Sequence, residues 1–80
     1  MDNIELYDQA FIETFEIVQE DLETLKYQSI EVWDSVGHMM LMAALEEAFD
    51  IMMDTEDIID FSSYVKGKEI LSKYDVVLGG

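Results

Sequence analysis

Apolar and aromatic residues recur at three- and four-residue spacing in the first part of the chain, which is the pattern of an amphipathic helix. The pattern predicts a helix from residue 3 to about residue 18, with Asp2 or Asn3 as its N-cap. Its expected buried face consists of Ile4, Tyr7, Phe11, Thr14, Phe15 and Val18. Because glutamates occupy the opposite face, we expect the aromatic side of this helix to pack against the core.

The regular spacing is lost between residues 19 and 33, which predicts a long connecting loop with no more than one helical turn. The apolar residues expected to anchor this loop to the core are Leu22, Leu25, Tyr27, Ile30 and Val32. A loop of this length is unusual in a small domain and needs a functional or topological reason.

Residues 35–49 give the clearest helical pattern, and Asp34 is the expected N-cap. The core-facing side consists of Leu41, Leu45, Ala48 and Phe49, flanked by Met42 and Ala44. The opposite side consists of Val36, Met39, Met40, Ala43, Glu46, Glu47 and Asp50. This second side is apolar in its first half and acidic in its second half, so we interpret it as a docking surface. Its three acidic residues argue against a helix that is buried on nearly all sides.

A short third helix of one to two turns is predicted to begin near Asp54 or Thr55. We expect Ile58 and Phe61 to pack inward from this part of the chain.

Ser62 or Ser63 is the expected N-cap of a last helix that reaches about Tyr74. Its predicted buried face consists of Tyr64, Gly67, Ile70, Leu71 and Tyr74. Gly67 costs about 1 kcal/mol against alanine in a helix interior, which indicates close packing at that point. Residues 76–80 are predicted to form a frayed tail.

These elements predict an all-α fold in a single domain covering residues 1–80. The expected architecture is a four-helix bundle with three longer helices, one short helix and a long loop between helices 1 and 2. Half of the 80 residues are hydrophobic, which is enough to build one core.

The charge is strongly acidic, with 19 aspartates and glutamates against four lysines and a net charge of −15. Phosphate backbones and anionic lipid surfaces repel such a chain, so we expect it neither to bind nucleic acid nor to insert into a membrane. We expect it instead to be attracted to basic patches on other proteins. No cysteine, signal peptide or apolar run of about 20 residues is visible, so a cytoplasmic protein is expected. We also expect it to be a monomer.

The residues offer little for catalysis or specific metal binding. Ser35 and His38 are neighbours on the predicted helix, but a hydrolytic site also needs an orienting third group and an oxyanion hole, so we expect His38 to pack or hydrogen-bond. Counted from Asp50, an EF-hand would need glycine where Thr55 stands and glutamate where Phe61 stands. One histidine and no cysteine also argue against zinc.

The segment around Ser35 resembles the second helix of acyl carrier proteins, the phosphopantetheine-binding carrier family. The residues that carry this resemblance are Asp34-Ser35-Val36, Leu41, Ala44-Leu45-Glu46-Glu47 and Phe49-Asp50. Further on, Thr55-Glu56-Asp57-Ile58 is similar to the acidic start of the family's third helix, and Phe61-Ser62-Ser63-Tyr64 to the entry into its last helix. Tyr27 stands where the family has an aromatic residue in its first loop. The resemblance is specific over residues 33–71 and implies the acyl-carrier type of four-helix bundle.

The resemblance implies that Ser35 carries a 4'-phosphopantetheine donated by coenzyme A, whose terminal thiol holds an acyl group as a thioester. Asp34 and Val36 complete the attachment motif. The helix face that partner enzymes recognise corresponds to Val36, Met39, Met40, Ala43, Glu46 and Glu47. The implied partners are a phosphopantetheinyl transferase and acyl- or aminoacyl-activating and acyl-transfer enzymes with basic docking patches. The chain itself is then a non-catalytic carrier for fatty acid biosynthesis or a more specialised lipid, polyketide or cell-surface pathway.

Several residues depart from the pattern of the fatty-acid carriers. Gly37 replaces a common aspartate, Met40 a common glutamate and Asp54 a frequent proline. The run Asp-Ser-Val-Gly also resembles the D-alanyl carrier proteins, so the cargo stays open among fatty acyl, polyketide and aminoacyl groups. If an acyl chain is stored between the helices, the adaptable residues expected to line it are Met39, Met42, Met52 and Met53.

Two alternatives belong to other functional classes. An unmodified acidic helical interaction module would dock a partner through Val36, Met39 and Met40 without any cofactor. A small calcium-responsive switch is disfavoured because the EF-hand pattern is missing.

Overall fold

The computed structural model describes residues 2–78 and contains five helices and no strand within that range. The elements are α1 (Asn3–Phe15), a 3-10 helix (Gln19–Thr24), α2 (Ser35–Phe49), α3 (Thr55–Asp60) and α4 (Tyr64–Ser72). The all-α class is therefore confirmed, and the helix beyond the predicted four lies in the long first loop. Over the same residues, no helix has both the length and the apolar character needed to cross a membrane.

Helix α1 is shorter than its hydrophobic pattern predicts. It ends at Phe15 because Glu16 adopts the left-handed conformation, with φ 55° and ψ 47°. Tyr7, Phe11 and Phe15 are buried as predicted, with Ile4 and Thr14 half-buried beside them. The inclusion of Val18 in the buried face was wrong, because this residue lies beyond the helix and is 56% exposed.

The first loop is anchored by fewer of the predicted residues, and by one that was not predicted. Leu22 and Leu25 are buried and Ile30 is half-buried, whereas Tyr27 and Val32 are exposed. The additional anchor is Trp33, whose side chain is completely buried.

Two backbone hydrogen bonds fasten this loop to the start of α4. The Tyr27 N–H donates to the Ser62 carbonyl at 2.9 Å, and the Tyr64 N–H donates to the Leu25 carbonyl at 3.0 Å. The loop is therefore an ordered layer of the domain, despite its lack of helical periodicity.

Helix α2 has the predicted bounds and the predicted N-cap. The Asp34 carboxylate accepts a hydrogen bond from the Gly37 N–H at 2.9 Å. Leu41, Met42 and Leu45 are buried in the core. Ala48 was wrongly assigned to the buried side, because it is exposed.

Helix α4 packs closely on its neighbours at a glycine. Ser63 caps α4 by accepting a hydrogen bond from the Lys66 N–H at 2.9 Å. A Cβ atom at Gly67 would lie 2.2 Å from both the ring of Phe61 and the hydroxyl of Tyr7, so the close packing predicted there is confirmed. The helix ends at Ser72, two residues before the predicted end, and leaves Tyr74 half-buried beyond it.

The predicted frayed tail was wrong for residues 76–78. Val76 is 7% exposed and its N–H donates to the Leu71 carbonyl at 3.3 Å. The Val77 carbonyl accepts a hydrogen bond from the side chain of Asn3 at 3.0 Å, which joins this segment to the start of α1. Gly79 and Gly80, the rest of that prediction, lie outside the described residues.

Candidate functional site

Ser35 is the first residue of α2, is exposed, and lines a groove of about 370 Å³ between α2, α3 and the first loop. We call this the Ser35 groove. Its lining consists of Tyr27, Ser35, His38, Met39, Ile58, Ile59 and Ser62. None of these is an aspartate, glutamate or lysine, although 29% of the chain is charged. The groove is thus an uncharged site on a strongly acidic protein.

Gly37 determines how closely the loop before Ser35 packs on α2. A Cβ atom at this position would lie 1.9 Å from the carbonyl oxygen of Val32 and 3.3 Å from the ring of Phe15. The contact is with backbone, so a side chain could be accommodated only by moving the loop. This packing requirement gives a structural reason for Gly37, which the sequence showed only as a departure from a family pattern.

His38 joins the loop to α3 through both ring nitrogens. The Trp33 indole N–H donates to Nδ1 of His38 at 2.9 Å, and Nε2 of His38 lies 2.7 Å from the Ile58 carbonyl oxygen. Since the indole can only donate and the carbonyl can only accept, the ring must be neutral with its proton on Nε2. The expectation of a hydrogen-bonding role for His38 is confirmed, and both nitrogens are engaged away from Ser35.

The ring of His38 is also part of an aromatic stack beneath the groove. It lies nearly parallel to Trp33, with centroids 6.1 Å apart, and Trp33 stacks in turn on Phe15 at 5.2 Å. The rings of Tyr27 and Phe61 lie edge-on to His38, with centroids 5.4 and 6.2 Å from its own. Trp33, Phe15 and Phe61 are all buried, so His38 stands between the groove and the hydrophobic core.

The predicted docking surface on α2 is exposed at its apolar end. Val36, Met39 and Met40 have 68%, 55% and 57% of their surface exposed. Ala43 and Glu47 are exposed farther along the helix. The sequence did not single out Ile59 of α3, which is 73% exposed and extends this apolar surface across the groove.

Glu46 differs from the other residues of the predicted surface. It is half-buried, and its carboxylate accepts a hydrogen bond from the Met53 N–H at 2.9 Å. Its placement on a freely accessible face therefore needs correction, because this side chain supports the segment between α2 and α3.

The four methionines expected to line one cargo site are not brought together. Only Met39 lines the Ser35 groove. Met42 and Met53 are buried, and Met52 is almost fully exposed. A shared methionine lining was therefore wrong.

A charged cluster holds the other side of α3. Asp57 accepts hydrogen bonds from Lys73 Nζ and from the Tyr74 hydroxyl, both at 2.5 Å. The Tyr74 oxygen accepts in turn from the Asp54 N–H at 2.9 Å. The bonds from Lys73 and Tyr74 lower the pKa of Asp57 below its ordinary value of 3.8, and the bond to Asp57 raises the pKa of Lys73 and of Tyr74.

A second buried carboxylate, Asp8, belongs to α1 and does not line the groove. It accepts hydrogen bonds from the Tyr64 hydroxyl at 2.5 Å and from the Gln19 side-chain amide at 3.0 Å. The Tyr7 hydroxyl donates to the Tyr64 carbonyl at 2.6 Å. Burial raises the pKa of both tyrosines, so their hydroxyl groups stay protonated. The two hydroxyl hydrogen bonds join α1 to α4. No local pattern in the sequence predicts this network, because its partners lie far apart along the chain.

Across residues 2–78, no group of three or more histidine, aspartate or glutamate side chains is arranged to hold a metal ion. Comparisons of the chain with protein-family models, with curated proteins and with solved structures found no match. A functional proposal for this chain therefore rests on its sequence and on the geometry around Ser35.

Proposed function

We propose that the chain is a non-catalytic carrier protein whose Ser35 hydroxyl receives a 4'-phosphopantetheine group. In this reaction the serine oxygen forms a bond to the phosphorus that bears pantetheine in coenzyme A, and the pyrophosphate bond breaks to release adenosine 3',5'-bisphosphate. The serine proton passes to a base of the transferase. The thiol of the attached arm then supplies the thioester chemistry, while the protein supplies position and recognition.

The observation that carries this proposal is the placement of Ser35. Its side chain is exposed at the first position of a 15-residue helix and borders the uncharged Ser35 groove. The start of a helix favours a phosphodiester through its unpaired N–H groups and its dipole. One carboxylate oxygen of Asp34 accepts a hydrogen bond from the Gly37 N–H, so that oxygen faces the helix. These residues fit the group chemically.

The proposal includes the acyl-carrier type of four-helix bundle, with the 3-10 helix as an addition to its long first loop. It also includes a phosphopantetheinyl transferase and acyl- or aminoacyl-activating and acyl-transfer enzymes as partners. The exposed apolar end of α2 and the net charge of −15 support docking to apolar surfaces bordered by basic residues. The absence of cysteine supports the cytoplasm as the expected compartment.

Mass spectrometry after incubation with coenzyme A and a phosphopantetheinyl transferase tests the proposal. The wild-type chain should gain roughly 340 Da, the mass of the transferred phosphopantetheine. Ser35→Ala should gain nothing, whereas Ser62→Ala, which changes another serine of the same groove, should gain the same mass as wild type. Modification of Ser35→Ala, or no modification of wild type, would contradict the proposal. The mass of the thioester on protein isolated from its native cell would then distinguish acyl from D-alanyl or other aminoacyl cargo.

The exposure of Val36, Met39, Met40 and Ile59 also favours a second candidate, an unmodified interaction module. In that case partner binding should survive Ser35→Ala and should be lost on Met40→Glu. A carrier would instead lose its activity with partner enzymes when Ser35 is replaced.

A further inference from the structure

The Ser35 groove has the size and the chemistry of a site for a small uncharged group. Its volume of about 370 Å³ lies in the range of small-molecule sites, which is roughly 300–1,000 Å³. Met39, Ile58 and Ile59 give it apolar walls, and Ser62 and Tyr27 add hydroxyl groups. Ser35 itself belongs to the lining, so the groove lies beside the point at which the proposed arm is attached.

His38 lies between the groove and the hydrophobic core. Its ring lines the groove on one side and stacks on Trp33 on the other. The two hydrogen bonds to Trp33 and Ile58 hold both ring nitrogens, so the ring cannot rotate away without breaking them. Behind it lie Trp33 and Phe61, each completely buried.

We propose that His38 is a specificity-determining residue that sets a length limit on an apolar chain that enters the Ser35 groove. A short uncharged chain occupies the groove, and the methylenes of a longer chain extend into water instead of entering the core. The limit is a property of the groove. Its application to acyl cargo rests on the proposed function, and the cargo class that it favours is a short acyl group.

A chain tethered chemically at position 35 tests the limit without a transferase. The protein contains no cysteine, so Ser35→Cys introduces a single thiol. Its thiolate attacks the alkyl-bearing sulfur of an alkyl methanethiosulfonate, which forms a disulfide and releases methanesulfinate. Ethyl, butyl, hexyl, octyl and dodecyl reagents give a series of chain lengths. The chain also has one tryptophan, so the single indole N–H signal in the NMR spectrum reports on Trp33 alone.

In the Ser35→Cys protein, the Tm should rise from ethyl to about hexyl and then level off, because only methylenes that leave water add stability. The indole signal of Trp33 should stay in place across the series. In Ser35→Cys/His38→Ala, the Tm should continue to rise through dodecyl and the indole signal should move with chain length. Each comparison is made against the same variant before alkylation.

A Tm that rises through dodecyl in the presence of His38, with movement of the indole signal, would overturn the proposal. A Tm that is independent of chain length in both variants would also overturn it, since the groove would then not hold the chain. If His38→Ala does not fold, Trp33→Phe replaces it, because loss of the indole N–H frees the His38 ring. The Tm series should then level off at a longer chain, and an unchanged limit would count against His38. Failure of the mass gain at Ser35 would remove the carrier function and leave this result intact.

Discussion

Helix α3 is held on its two sides by different chemistry. It has six residues, which is too short for a helix to be stable alone, so contacts with its neighbours must maintain it. On the α2 side, neutral His38 donates to the Ile58 carbonyl beside an uncharged groove. On the α4 side, ionised Asp57 accepts from Lys73 and Tyr74.

The difference shows how one short helix can border a site for an uncharged group in a chain of net charge −15. The charged interaction is on the side away from the groove, where Lys73 follows α4. The groove side depends on shape and on neutral hydrogen bonds, so α3 adds no carboxylate to the lining of the Ser35 groove. We therefore expect the α2 side to be sensitive to changes of side-chain volume and hydrogen bonding, and the α4 side to be sensitive to the charge of Asp57.

The largest effect on stability is expected from His38→Ala, which removes the hydrogen bonds of the imidazole to Trp33 and to Ile58. The free energy of unfolding should fall by about 2–4 kcal/mol, because the buried Trp33 indole N–H loses its acceptor and the ring leaves a cavity. Urea unfolding measures this change. Met39→Ala, one residue along the same helix but exposed, is the control and should change stability by no more than about 0.5 kcal/mol. Equal effects of the two substitutions would show that the His38 connection adds no stability.

Gly37→Ala should have the next largest effect, because it separates the loop from α2 without removing any hydrogen-bonding group. Overpacking costs about 1–3 kcal/mol and the better helix propensity of alanine recovers up to about 1, so a net loss of about 1–2 kcal/mol is expected. The matched control is Val36→Ala, an exposed neighbour on the same turn, which should be nearly neutral. A stabilised Gly37→Ala protein would mean that the loop moves freely and does not depend on the Val32 contact.

The smallest effect, and the one that depends on pH, is expected from Asp57→Asn. Because the pKa of Asp57 is lowered in the folded protein, the folded state binds its proton less readily than the unfolded state does. The contribution of the ionised Asp57 carboxylate to stability is therefore fully present above its ordinary pKa of 3.8 and is lost as pH falls through the lower folded value. The stability difference between wild type and Asp57→Asn should be constant near neutrality and should shrink below about pH 4.

Urea unfolding at a series of pH values measures that difference, with Glu56→Gln as the control. Glu56 is an exposed acid on the same helix, so its replacement should give a small difference. If the Asp57→Asn difference persisted at acid pH, the α4 side would depend on packing in the same way as the α2 side, and the contrast between the two sides would disappear.

The elements of the fold were largely predictable because their signals are local. Periodic apolar residues identified all four α-helices, and the caps at Asp34 and Ser63 were predicted. The sequence failed where the chain leaves regular spacing: it allowed one helical turn where a six-residue 3-10 helix forms, extended α1 past Phe15 and treated the segment after α4 as a frayed tail. Those features depend on a left-handed residue or on contacts with distant segments.

The candidate site divides in the same way. The sequence by itself determined that Ser35 begins a helix after a capping aspartate, because helix periodicity and capping involve residues within one turn. Only the tertiary structure decided that Gly37 must lack a side chain, that His38 is neutral and fixed, and that an uncharged groove borders Ser35. The physical reason is that the carbonyls of Val32 and Ile58 and the ring of Trp33 come from other segments. No local pattern specifies which backbone or ring will meet a helix once the chain has folded.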